Sequence, residues 1–310
     1  MGSPTPPVEI PRLSALDKKD VSIHADNARV QTLTTSTSGN TLVLIQKPTP
    51  YGKDTGELAY RTADGRTYRF GNFTNPMIPD GFSPNWRFPT TQHGQTLDNG
   101  GKLLVCCTGT GQNRYMSATD ADSLRFGAWV SPQGTADLFV GGKVADPAYM
   151  PGGSHETAGK IKGKATYEVL ALRVRNGRFV NSSYTPKYGY DNAKGEPVLS
   201  LITANFNTNK MGGTIVGNSD FGPDVVLKDV NIQGNAFSGS AESGGQAGKV
   251  NGLFFGEPNV SWTGSIRGPA TGEIGGTITF DKDKSLNTVF GGTRIGENQK
   301  DLSDNLEPVK

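Results

Sequence analysis

Only two cysteines and three histidines occur in these 310 residues, and no apolar run is long enough to cross a bilayer as a helix. The two cysteines are neighbours, Cys106-Cys107, so no C-x-x-C pair exists to start a zinc site. His24, His93 and His155 are scattered, which argues against a built metal or haem centre, and the expectation is a protein with no cofactor. Charge of one sign is also missing. With 31 Lys plus Arg against 29 Asp plus Glu, the formal net charge is +2, and no basic stripe is present to neutralise a nucleic-acid backbone. The start, Met1-Gly2-Ser3-Pro4-Thr5-Pro6-Pro7, lacks the charged end and apolar core of a signal peptide and reads as an extended tether.

The signatures of catalysis are absent as well. There is no G-x-S-x-G elbow and no P-loop. Gly109-Thr110-Gly111 lacks the third glycine of a dinucleotide fingerprint, and His155-Glu156 has Gly159 where a zinc protease needs histidine. Asp281–Ser285 starts like a calcium loop, but Leu286 occupies the position that requires glycine, so a polar hairpin turn is the reading. No enzyme is expected.

What is abundant is glycine. There are 42, about twice the usual share, while the hydrophobic fraction is 34%. Glycine inside a helix costs about 1 kcal/mol, whereas antiparallel sheets wetted on one face need many tight turns and few apolar residues. After residue 160, eight strand-length segments follow at short spacing: 165–171, 198–206, 210–217, 224–234, 236–242, 249–256, 275–280 and 285–294. Small residues beside aromatics in these segments suit a small closed barrel. Before residue 155 the strand candidates are 21–24, 29–34, 41–46, 67–70, 102–106, 126–131 and 136–140, separated by long irregular stretches. The predicted fold is all-β: a tether (1–20), a β-sheet or sandwich domain with long loops (21–155), an antiparallel barrel of about eight strands (160–296) and a polar tail (297–310).

With no chemistry to place, recognition falls to loops on a rigid scaffold. Three are rich in the residue types that dominate protein–protein contacts: 82–88 with Trp86, Arg87 and Phe88; 184–190 with Tyr184, Tyr188 and Tyr190; and 257–267 with Trp262 and Arg267. Trp86 and Phe88 fit equally well as caps folded over the scaffold. Tyr184, Tyr188 and Trp262, flanked by polar turn residues, are expected to be exposed. Cys106 and Cys107 admit two readings, a pair of reduced thiols on opposite strand faces or a strained vicinal disulfide.

The C-terminal half resembles the barrel of the transferrin-binding-protein-B-like surface lipoproteins of Gram-negative bacteria. The residues that carry the likeness are Gly252-Leu253-Phe254-Phe255-Gly256, the run Gly268–Gly276 (GPATGEIGG), the closing strand Val289-Phe290-Gly291-Gly292-Thr293-Arg294, and Gly163–Tyr167 as a first barrel strand. In the family the first two pieces are continuous; here residues 257–267 interrupt them, so this segment should project from one barrel end with Trp262 at its centre. Leu104-Val105-Cys106-Cys107 is similar to a paired-cysteine strand of the family, which implies the bridged form. One lobe's length, the Pro-rich start and Ile10-Pro11-Arg12-Leu13-Ser14 look most like the haemoglobin–haptoglobin utilisation group (HpuA-like). That resemblance implies an outer-membrane surface lipoprotein, held by an N-terminal lipid anchor. It would capture host haemoglobin or haemoglobin–haptoglobin and present it to a TonB-dependent transporter. A hemophore that binds haem itself, and an immune-evasion or adhesion module, are the competing expectations.

Overall fold

The computed structural model describes residues 12–54, 56–70, 92–106, 123–183 and 200–294. It is all-β, 8% helical and 53% strand, and the helical residues are short 3-10 turns such as Ala25–Arg29 and Ala158–Lys160.

Eight strands precede residue 145: β1 (Val30–Thr34), β2 (Thr41–Ile45), β3 (Glu57–Arg61), β4 (Thr67–Arg69), β5 (Gln92–Thr96), β6 (Lys102–Cys106), β7 (Arg125–Val130) and β8 (Ala136–Lys143). They form a five-stranded antiparallel sheet in the order β1-β8-β7-β6-β5 and a three-stranded sheet β2-β3-β4. Leu103, Val105 and Phe139 from the larger sheet pack on Leu42, Leu44 and Tyr60 from the smaller one, so this part is a sandwich. Three sequence expectations change here. Gln92–Thr96 is a strand that the candidates do not include. Residues 21–24 are not a strand: Ile23 makes a single bridge to Ile45, and the His24 ring then caps a 3-10 turn by accepting from the Asp26 amide at 3.0 Å. Residues 57–61 are a strand although they do not alternate. Leu58 and Tyr60 face the sandwich while Ala59 packs with Val43 and Ile45 beneath Leu16 and Val21, so both faces are buried.

Eleven strands follow: β9 (Lys164–Arg175), β10 (Arg178–Asn181), β11 (Ser200–Asn205), β12 (Lys210–Ile215), β13 (Val225–Gln233), β14 (Ala236–Ser243), β15 (Gln246–Phe255), β16 (Asn259–Val260), β17 (Ile266–Gly268), β18 (Glu273–Thr279) and β19 (Thr288–Arg294). β19 pairs back onto β9, closing an eight-stranded antiparallel barrel of β9, β11–β15, β18 and β19. Its inside is apolar. Phe254 lies among Tyr167, Phe206 and Phe237 at ring separations of 5.6–6.2 Å. Alternation is kept by a bulge where it would fail: Leu227 and Val230 are an odd step apart, and the register shift between Lys228 and Asn231, with Asp229 at φ 49°, turns both inward. The outer face of β13–β15 carries exposed Lys228, Asn231, Ser238, Glu242, Lys249 and Asn251. That is the reverse of the apolar band a membrane-spanning barrel presents to lipid.

The adjacent glycine pairs of the closing strands do two jobs because successive residues point to opposite faces. Gly276 faces in, leaving room for the Phe290 ring, which would lie 2.7 Å from a Cβ there. Gly275 and its cross-strand partner Gly291 face out and make a flat seat for the sheet half. A Cβ on Gly275 would meet Val140 at 2.5 Å, and one on Gly291 would meet the Phe126 ring at 2.4 Å. Around this seat Leu104, Leu124, Phe126, Leu138 and Val140 pack on Leu170, Leu172, Leu253, Phe255 and Val289, an apolar layer that joins sheet and barrel. Gly291→Ala forces Phe126 off its seat and lowers stability by about 1–3 kcal/mol, readable as a lower midpoint in denaturant.

Candidate protein-binding site

Between β15 and β18 the chain leaves the barrel and builds a two-stranded ribbon, β16–β17, from the inserted residues. Its tip is Ser261-Trp262-Thr263-Gly264. The Ser261 amide donates to the Ser265 carbonyl at 2.7 Å, the Gly264 amide donates to the Ser261 carbonyl at 2.8 Å, and Ser261 Oγ accepts from the Ser265 amide at 3.0 Å. Gly264 closes the turn at φ 85°, a conformation glycine adopts without a Cβ penalty. These bonds are made by backbone and serine alone, so the Trp262 side chain is left outside: it is 94% exposed, with Val260 beside it at 53%. Arg267 is exposed too. An indole and a valine held out on one turn form an exposed apolar point.

Both legs of the ribbon rest on the sheet half. On the first, the Gly256 amide donates to the Lys143 carbonyl at 3.0 Å, and Glu257 Oε1 lies 2.6 Å from Arg29 Nη1 and 3.6 Å from Lys143 Nζ. Lys143 also reaches Asp26 at 3.2 Å, and Arg29 donates to the Val144 carbonyl at 3.2 Å. On the second leg, Gly268, Pro269 and Ala270 are buried and the Ala270 amide donates to the Tyr149 carbonyl at 3.0 Å. The Asp26 carboxyl is held below its usual value, chiefly by the hydrogen bond and charge of Lys143. A depressed carboxylate stabilises only while ionised, so this contribution is complete above the ordinary carboxylate range and is lost as pH falls through the lowered value. At neutral pH the bond from Lys143 is at full strength.

Of the sequence-derived site residues, the structure places Trp262 and Arg267 on this ribbon. Trp86, Arg87, Phe88, Tyr184, Tyr188, Tyr190 and Cys107 lie outside the described residues; Cys106 ends β6 by its backbone, and its side chain is not among those described. Gln92 and Cys106 pair at one end of β5 and β6, and Ser123, ahead of β7, has its Oγ 3.8 Å from a Cβ built on Gly256. Ser183 and Ser200, which flank 184–199, belong to the other barrel end, beside Val216. Val260, Glu257, Arg29 and Lys143 had no place among the sequence candidates. Val260 sits in a strand of two residues, too short to show a period, and the charges meet only through distant chain contacts.

No group of three or more metal-binding side chains is gathered among the described residues. His24 and His155 both spend Nδ1 as turn caps, His155 accepting from the amides of Thr157 and Ala158 at 3.2 Å.

The family described as "Haemoglobin-haptoglobin utilisation, porphyrin transporter" (HpuA) matches residues 56–309. Among solved structures, HpuA from Kingella denitrificans in complex with human haemoglobin is 37% identical, with 97% of this chain and 99% of that one covered, at a TM-score of 0.75. The apo haemoglobin receptor HpuA from the same organism is 37% identical over 97% and 98% of the two chains, at 0.74. Transferrin binding protein B from Haemophilus parasuis is 15% identical over 86% of this chain and 45% of that one, at 0.46. Comparison with curated proteins gives no match.

Proposed function

This chain belongs to the HpuA family, and from that premise we propose that it is a surface receptor that captures host haemoglobin for iron acquisition. The family is one of binding and receptor proteins, and the chain is not an enzyme. The observation that carries the reading is the 37% identity over 97% of the chain to an HpuA solved with human haemoglobin. The Trp262 ribbon supplies what such a receptor needs: an apolar hot-spot residue, already ordered, on a rigid support.

In this reading the tether, residues 1–20, leads to a lipid anchor in the outer membrane of a Gram-negative bacterium. The sheet half (21–155) and barrel half (160–296) present loops that hold haemoglobin, free or with haptoglobin, over a TonB-dependent transporter that takes the haem. Residues 82–88 and 184–190 contribute further aromatic contacts, and Cys106 and Cys107 are bridged in the exported protein. Titrating the purified chain over immobilised haemoglobin, with haemoglobin–haptoglobin and myoglobin alongside, tests capture. Saturable binding to the first two is expected, and a flat response to both would sink the proposal.

Direct haem binding is the competing mechanism, and the two histidines with described side chains, His24 and His155, do not favour it. Because Nδ1 of both rings accepts from backbone amides, the neutral rings carry their proton on Nε2, the nitrogen an iron ligand would use, and hemin titration is expected to give no sharp Soret band. A stoichiometric band abolished by one His→Ala change would transfer the function to the cofactor itself.

A further inference from the structure

A ribbon with two residues in its first strand cannot fix its own direction, because a lone two-stranded hairpin is at best marginally stable in water. Val260 and Trp262 are exposed, so no core of its own orients it either. What it has is its base. Glu257 is the first residue after Gly256, at the point where the chain departs from the barrel, and its carboxylate meets two cations of the sheet half, Arg29 and Lys143. Both cations are themselves held. Arg29 is tied by the Val144 carbonyl and Lys143 by Asp26, so the four groups brace one another across the junction of sheet and barrel. The second leg makes no ion pair among the described residues; it is seated by the buried Gly268-Pro269-Ala270 and by the bond from the Ala270 amide to the Tyr149 carbonyl, so the charged restraint lies on the first leg.

We infer that Glu257 is a positioning residue: by pairing with Arg29 and Lys143 it holds the ribbon at one angle, so that Trp262 meets its partner without first having to be ordered. This rests on the haemoglobin-capture reading for the identity of the partner. Ordering a loop on binding is a cost that a preset loop avoids, so losing the brace weakens association while every contact residue remains in place. The pairs are partly exposed, which keeps the effect moderate.

Glu257→Gln tests this, because it keeps size and hydrogen bonding but removes the charge. Amide hydrogen exchange at Ser261 and Ser265 should quicken by about threefold or more with the melting temperature unchanged. The haemoglobin Kd should rise by about three- to fivefold. In a Trp262→Ala background the same change should leave the Kd where Trp262→Ala puts it, since there is no longer an anchor to position. Unchanged exchange overturns the inference, as does unchanged affinity in the presence of Trp262. An equal loss in both backgrounds overturns it too, because Glu257 would then be touching haemoglobin itself. If the unaltered protein fails to bind haemoglobin, the capture reading falls, while quickened exchange in Glu257→Gln still supports the brace.

Discussion

Replacing Trp262 by alanine weakens haemoglobin binding by roughly thirtyfold and leaves the melting temperature where it was. The two halves of that expectation come from the same geometry. The turn is closed by the backbone of Ser261, Gly264 and Ser265 and by Ser261 Oγ, none of which the indole touches. At 94% exposure Trp262 gives nothing to the folded state that alanine would remove, so stability has no reason to fall. In a complex the reverse holds. The indole is among the side chains that most often dominate an interface, and burying it against a partner removes a large apolar area from water. Truncating such an anchor typically costs about 2 kcal/mol or more. Surface binding assays and thermal melts on the same preparation decide the matter. Retained affinity would show that haemoglobin is gripped elsewhere, and the aromatic segments 184–190 and 82–88 would become the next to test.

The second large effect is one of stability. Arg173→Ala is expected to cost about 3–5 kcal/mol and to lower the melting temperature on the order of 10 °C. On β9 the inward row runs Ala165, Tyr167, Val169, Ala171, and its next member is Arg173, fully buried at the barrel end remote from the ribbon. Among the described residues no carboxylate pairs with it by contact. Instead its guanidinium donates from Nε to Thr288 Oγ1 at 2.9 Å, from Nη1 to the carbonyls of Phe221 and Pro223 at 2.9 and 3.2 Å, and from Nη2 to Ser243 Oγ at 3.0 Å. It also stacks over the Phe221 ring at 4.0 Å. Burial, with the nearby charge of Arg175, pushes its pKa down to about 10, so it remains charged at neutral pH. Alanine leaves a cavity and strands those acceptors away from water, and the two penalties add. Haemoglobin affinity at a temperature where the variant is folded should match the unaltered protein, because the ribbon leaves from the opposite barrel end. A melting temperature within about 2 °C of the original would mean that water replaces the guanidinium at little cost.

These two residues mark how far the amino-acid order reaches. Trp262 was legible. The motif broken between Gly256 and Gly268 demanded an inserted loop, and a tryptophan among serine, threonine and glycine has no core within its own segment. Arg173 was not legible. In the run Ala165–Arg175 nothing local separates Arg173 from Arg175, yet the first is buried and the second is not. Only the closure of β19 onto β9 brings Thr288 to the first, and the 200–230 region supplies the carbonyls that satisfy it.

The sheet half shows the same boundary. Strands with one wet face, such as β13, announce themselves by alternation. β3 hides because Leu58, Ala59 and Tyr60 are buried on both sides, a fact about neighbouring layers rather than about the segment. Residues 21–24 mislead for the complementary reason, since the His24 cap diverts an alternating stretch into a turn.

By itself, then, the sequence determined the all-β class and the eight barrel strands, because these depend on period, turn chemistry and chain order, all local properties. The projecting ribbon followed from the resemblance, at the place where the family's barrel motif is interrupted. Tertiary structure alone decided which glycine of each pair seats the sheet half and which admits a ring, and where the buried guanidinium finds its acceptors. It also decided which four charges, from residues 26, 29, 143 and 257, meet at the foot of the ribbon. Those outcomes join groups distant in the chain, up to 228 residues apart for Arg29 and Glu257, and pairing at that range is set by how the layers pack.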